Sequence, residues 1–302
     1  MTILGSVTRS AVSTIANPQS GTTNAGAFVA RAGRTRLGFF PTLSDAKRAV
    51  NAVGGGLLRW SQENMVTGVE HWVARDTSLD LLDIAGEDLA QWCDIDANAR
   101  VLDVSTNKVD LLGDRSGQLR GYTQSTPARQ GLYVAGAANG YGGLLLTQAS
   151  DQHMTSEVPL SPPFTIIVVA NFISALLDAG TNLLSSDGAN NWRLGVSTAG
   201  VWEYENSVGT ILSGGTADTT LALLTVRQDT TGGEFRVNRA IVGGNADTPD
   251  DATTLSLGGA AATPSVGVSW GGLLAVVSLF DTTNITVVEQ AERFVHERYN
   301  TP

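Results

Sequence analysis

A single cysteine, Cys93, stands in 302 residues, so no intrachain disulfide can form and nothing depends on an oxidising compartment. Histidine is scarce too: His71, His153 and His296 lie far apart and, with one cysteine, offer no zinc constellation. The phosphate-loop pattern GxxxxGK followed by Ser or Thr is missing, as is the dinucleotide fingerprint, so phosphate-cofactor chemistry has no support. No apolar run reaches the roughly 18 residues that span a bilayer. Met1 to Ile15 lacks a basic start ahead of a continuous apolar stretch. The expectation is a soluble chain that uses no ordinary cleaved signal, inserts in no membrane and can assemble in a reducing cytoplasm. Only 16% of residues are charged, while 42% are apolar and 34 are glycine. That balance suits β-rich globular structure and excludes disorder and coiled coil.

Carboxylates are absent before Asp45, where the charges are Arg9, Arg31, Arg34 and Arg36. Up to Arg75 eight basic residues face three acidic ones, yet the whole chain carries a formal charge of −10. The N-terminal region is therefore basic and the remainder strongly acidic. A basic arm rich in small residues attracts an acidic surface. Nucleic acid is the least suitable of these, because four scattered arginines without a lysine cluster do not track phosphates.

Three regions follow from composition. Residues 1–42 read as an extended basic anchoring arm carrying Arg9, Arg31, Arg34 and Arg36. Residues 43–80 read as a small α+β connecting module, with a helix from Thr42 or Ser44 to Val53 and strands at Leu57 to Ser61 and Val66 to Ala74. Residues 81–302 form the main domain. From Phe164 onward, short strand-like runs alternate with Gly, Asp and Asn, the rhythm of a sandwich or jelly roll. They span 164–172, 182–186, 192–197, 201–206, 221–228, 234–242, 253–257 and 273–280, and the Gly-containing loop within 226–237 signals a hairpin. Thr286 and Glu289 have the form of a capping box, and Val288, Ala291 and Val295 then repeat at helical spacing, with Phe294 widening the stripe. The fold class expected is all-β, a jelly-roll sandwich closed by a C-terminal helix.

The segment Trp92 to Met154 adds a more specific signal. Gln91-Trp92-Cys93-Asp94, Asp114-Arg115-Ser116-Gly117, Gln124-Ser125-Thr126-Pro127 and Gly131-Leu132-Tyr133-Val134 follow one another, then Asn139-Gly140. Near the end, Leu273 to Asp281 is followed by the capped helix to Tyr299. This pattern resembles the laminin-G-like, concanavalin A-like jelly rolls over about residues 88 to 300. Such domains host lectins, glucanases, lyases and adhesive modules, so the resemblance speaks to fold more than to function. Similar domains recur in fibres, spikes and decoration proteins of tailed bacteriophages. What the resemblance implies, with the basic arm, is a non-enzymatic virion structural protein assembled in the host cytoplasm. The arm would hold it to capsid or tail proteins. It would form a homotrimer and display a jelly roll able to bind host surface polysaccharide. The alternatives are a stand-alone carbohydrate-binding module and a polysaccharide-cleaving enzyme.

Individual residues sharpen these alternatives. Trp192, Trp202, Tyr204 and Trp270 can stack on sugar rings, and core packing is the competing role for each. Because strand side chains alternate, Trp202 and Tyr204 share one face and Glu203 and Glu205 the other. The paired carboxylates suggest a glycosidase, but the third acid of the glucanase layout is absent, with Asn206 and Ser207 following instead. Asp94, Asp96 and Asp187 could serve a loose calcium site, or act simply as turn formers. An EF-hand is excluded, since Ala99 stands where glycine is needed and Ser105 where the bidentate Glu is needed. Gly267 to Gly271 matches a nucleophile elbow around Ser269, with Asp281 and His296 following, but a strand rather than a helix comes next.

Overall fold

A computed structural model describes the strands at 28–32, 35–40, 57–60 and 71–73, and residues 80–103, 105–173, 181–186, 192–205, 209, 211–246, 252–259 and 269–302. The chain divides into two units, Met1–Gly86 and Glu87–Pro302.

In the first unit, β1 (Phe28–Ala32), β2 (Thr35–Phe40), β3 (Leu57–Trp60) and β4 (His71–Val73) form an antiparallel sheet in the order β2-β1-β3-β4. Within residues 28–40, expected as part of an extended arm, β1 and β2 thus pair antiparallel through their backbone groups. Their register sets Arg31 opposite Arg36. The expected helix to Val53 lies outside the described residues, as do Arg9 and Arg34. A short helix, α1 (Leu81–Ala85), ends the unit. It carries a reciprocal cap in which Asp83 N–H donates to the Asp80 carboxylate at 3.0 Å and Asp80 N–H to Asp83 at 3.3 Å.

The second unit opens with β5 (Leu89–Asp94), α2 (Ile95–Asn98), β6 (Ala99–Asp103), β7 (Lys108–Leu112), β8 (Tyr122–Thr123), β9 (Leu132–Ala138), β10 (Tyr141–Leu146) and β11 (Met154–Leu160). It continues with β12 (Phe164–Ala170), β13 (Thr181–Ser186), β14 (Arg193–Val196), β15 (Val201–Glu205), β16 (Ile211–Thr216) and β17 (Ala222–Gln228). β18 (Gly233–Val237), β19 (Ala240–Asn245), β20 (Ala252–Leu257), β21 (Gly272–Phe280) and α3 (Ile285–Tyr299) complete it.

Two antiparallel sheets result. One runs β19-β18-β17-β12-β21, with β21 pairing β10 through its first residues and β5 through its last. The other runs β16-β15-β14-β13-β20-β11-β8-β7-β6. β9 pairs β10 and touches β7 through Leu132 and Lys108, which joins the sheets at one side. This is the expected jelly-roll sandwich.

Core placement follows from the side-chain period. On β14 and β15, Leu194, Val196, Trp202 and Tyr204 all enter the core. β12 and β21 are buried along their whole length. On β12, Phe164, Ile166, Val168 and Ala170 face the core, while α3 packs on the same strand with Val288, Ala291 and Val295 buried. Burying each of the larger of these apolar chains contributes roughly 1.5–3 kcal/mol as an upper range. The helix cap differs from expectation. Asn284, not Thr286, is the N-cap, and its side chain accepts from the Thr286 N–H at 3.1 Å. Asparagine caps as well as serine, and this start adds residues to the helix. The expected strand 234–242 is two strands, because Asn238 and Arg239 both take positive φ and turn the chain.

Candidate functional site

The four aromatics expected to stack on sugar do not reach solvent. Trp192, Trp202, Tyr204 and Trp270 are each 0% exposed. Trp202 stacks on Trp270 with centroids 5.6 Å apart, and Trp192 lies 6.2 Å from Tyr204 and 6.1 Å from Phe164. Their flat faces are spent on one another, so the sugar-stacking role is corrected to core packing. Outside, Arg193 binds both Glu203, at 2.6 Å, and Glu205. Glu205 is its cross-strand partner, and the residue opposite Glu203 is Gly195, with no side chain to intervene. Glu203 is nearly buried, and that burial pushes its carboxyl above the usual range, with Arg193 pulling it back and Glu205 adding to the rise.

The calcium expectation also meets a correction. Asp94 is buried and accepts from Arg298 at 2.9 Å, Arg115 at 3.2 Å and the Tyr299 hydroxyl at 3.2 Å. Its two oxygens tie the first strand of the unit to the last helix. Asp96 accepts from the Gly142 N–H at 2.6 Å and the Tyr133 hydroxyl at 3.4 Å. Protein donors occupy both oxygens of Asp94 and one oxygen of Asp96, Asp187 lies outside the described residues, and among the described residues no three carboxylates, histidines or cysteines come together to hold an ion. The neighbouring Asp114 is also architectural: it accepts from Trp92, Ser116 and Arg120 N–H groups at 2.9, 2.8 and 3.0 Å. Arg115 then lies over the Trp92 ring at 4.1 Å.

Ser269, Asp281 and His296 form no relay. The Ser269 hydroxyl donates to Asp151 at 2.8 Å, and His296 Nδ1 is 3.1 Å from the Thr301 hydroxyl. Ser269 leads into β21 without an intervening helix.

A polar groove that the sequence did not reveal lies across β7, β8 and β11. It has a volume of about 360 Å³ and is lined by Arg100, Asp110, Thr123, Gln124, Ser125, His153 and Thr155. A β-bulge makes it. Arg100 pairs with Leu111 and Val101 with Val109, which leaves Asp110 as an extra residue on β7. Bulges re-aim side chains, and this one lets Val109 and Leu112 enter the core while Asp110 meets Arg100. The Arg100 guanidinium grips Asp110 through two nitrogens, Nε at 2.9 Å and Nη2 more closely. The Arg100 hydrogen bond holds the Asp110 carboxyl below its usual range.

The groove floor is preorganised by Gln124. Its amide donates to the His153 carbonyl at 2.8 Å, its side-chain oxygen accepts from Thr126 N–H at 2.9 Å, and its carbonyl accepts from Gln130 at 2.7 Å. Thr123 and Thr155 are cross-strand partners. Among the described residues, the hydroxyls of Thr123, Ser125 and Thr155 make no hydrogen bond within the protein. His153 Nδ1 sits 3.0 Å from the Asp151 carbonyl, which leaves Nε2 for the groove. The arrangement is a rigid polar shelf with donors and acceptors in reserve.

No protein-family model matches the chain, and no curated protein matches it. Among solved structures, the binding domain of Paraclostridial Mosquitocidal Protein 1 superposes with a TM-score of 0.50 at 12% identity, over 71% of this chain and 52% of that one. Domain 4 of AbnA, a GH43 extracellular arabinanase from Geobacillus stearothermophilus, solved with arabinotriose, gives 0.47 at 13% identity, over 68% of this chain and 98% of that one. Trypanosoma rangeli sialidase gives 0.46 at 12% identity over 71% of this chain, which spans 33% of the sialidase. What the first of these shows is the fold.

Proposed function

We propose that the unit Glu87–Pro302 is a glycan-binding module whose ligand lies in the groove across β7, β8 and β11. The observation that carries this reading is the set of uncommitted hydroxyls, Thr123 and Thr155 on strands and Ser125 in the loop after β8, beside the Arg100–Asp110 pair. A polyhydroxylated ring needs such alternating donors and acceptors, fixed in place before it arrives. The fold is compatible, since the mosquitocidal protein's superposable domain is itself named a binding domain. Binding without turnover fits the groove, because Asp110 is the one carboxylate among the described residues that line it. A paired-carboxylate glycosidase needs a second acid there. Attachment to a virion, the role implied by the resemblance, depends on an arm whose Arg9 and Arg34 lie outside the described residues, so the module's own binding role is the one put forward.

The test is calorimetric titration of the full chain with a panel of soluble oligosaccharides, beside the double variant Thr123→Ala, Thr155→Val. Wild-type protein is expected to bind at least one panel member. The double variant is expected to bind it about tenfold or more weakly at unchanged melting temperature, as loss of one or two hydrogen bonds to ligand implies. Wild-type protein that binds no saccharide, or a double variant that binds as well as wild type, sinks the reading.

A further inference from the structure

We infer that the groove selects neutral saccharides over acidic ones, and that the Arg100–Asp110 pair is the element that recognises adjacent hydroxyls. This rests on the glycan-binding reading above and adds the ligand's charge class. The pair presents a guanidinium edge and a carboxylate edge side by side, with the Arg100 side chain 56% exposed and that of Asp110 10%. Arg100 uses Nε and Nη2 on Asp110, so Nη1 remains to donate outward, and each Asp110 oxygen keeps accepting capacity. A vicinal diol can accept from one edge and donate to the other with both of its hydroxyls.

The charges that line the groove then disfavour an anionic ligand. Asp110 compensates the one guanidinium lining the groove. Outside the lining, Arg129 lies 3.9 Å from Asp151, and the Lys108 ammonium donates to the Pro127 carbonyl at 2.7 Å. An acidic sugar would gain no uncompensated positive charge from the lining and would meet the Asp110 carboxylate, on a chain of net charge −10. The groove is polar and locally neutral, which suits hydroxyls and not carboxylates.

The experiment titrates the full chain with neutral hexasaccharides of glucose and of arabinose and with acidic hexagalacturonate, for wild type and for Asp110→Asn. Wild type is expected to bind a neutral hexasaccharide and not hexagalacturonate. Asp110→Asn unpairs the guanidinium, so neutral binding is expected to weaken about tenfold while hexagalacturonate binding is gained. Because Asp110→Asn could disturb the bulge, a second measurement uses wild-type protein alone. Neutral binding is expected to change less than about twofold between about 50 mM and about 500 mM NaCl, since no net charge is screened. Hexagalacturonate binding at least as tight as neutral binding, or a steep salt dependence, overturns the inference while the groove reading stands. An Asp110→Asn protein that folds and keeps the wild-type preference overturns it too. Absence of all saccharide binding overturns the groove reading itself.

Discussion

The two ends of one sheet use the same ionic chemistry for opposite purposes. At the β14-β15 end, Arg193 serves two carboxylates, Glu203 and Glu205, and the Glu203 side chain is only 6% exposed. At the β7-β8 end, Arg100 serves Asp110 alone and more than half of its side chain faces solvent. The first arrangement covers an aromatic core of Trp192, Trp202, Tyr204 and Trp270, none of which reaches solvent. The second stands on a bulge beside unbonded hydroxyls and leaves donors and acceptors over. Exposure of the arginine, not residue type, separates the two arrangements.

The largest effect that tests this contrast is Trp202→Ala. Removing a fully buried indole stacked on Trp270 is expected to cost about 3–5 kcal/mol in denaturant unfolding, while the folded fraction keeps its saccharide affinity. Lost affinity in protein that remains folded would return the aromatics to the binding site. A smaller effect compares the two arginines directly. Arg193→Met strands Glu203 in a nearly buried position and is expected to cost about 3 kcal/mol, whereas Arg100→Met removes a half-exposed guanidinium from Asp110 and is expected to cost less, about 1–2 kcal/mol. Equal losses would erase the distinction between the two ends.

What could be read from the sequence was what depends on near neighbours. The unbroken apolar runs of β12 and β21 and the 3.6-residue stripe of α3 declared themselves. β16 did not, because Ile-Leu-Ser-Gly-Gly-Thr carries two glycines and little β-branching. Alternation already placed Trp202 and Tyr204 opposite Glu203 and Glu205, but only the packed sheets decide which side is core. Asp94 reads as a calcium ligand because its true partners, Arg115 and Arg298, are distant in sequence. The groove was hidden for a related reason: one extra residue in β7, visible only against β6, aims Asp110 at Arg100.

The smallest effect is a slope with pH, and it has opposite signs at the two ends. Glu203 is raised by burial, so the folded protein holds its proton at a pH where the unfolded chain, near the ordinary value of about 4.3, has released it. Stability therefore falls as pH rises from that value through the raised folded value, and is flat above. Asp110 is lowered by Arg100, so its contribution is present above about 3.9 and is lost as pH falls through the lower folded value. Glu203→Gln removes only the first slope. Urea unfolding of wild type and Glu203→Gln from about pH 3 to about pH 7 is expected to show the variant gaining relative stability as pH rises past about 4.3. A difference that runs the other way would mean that Arg193 outweighs burial at Glu203, and that this end of the sheet holds a stabilising ion pair after all.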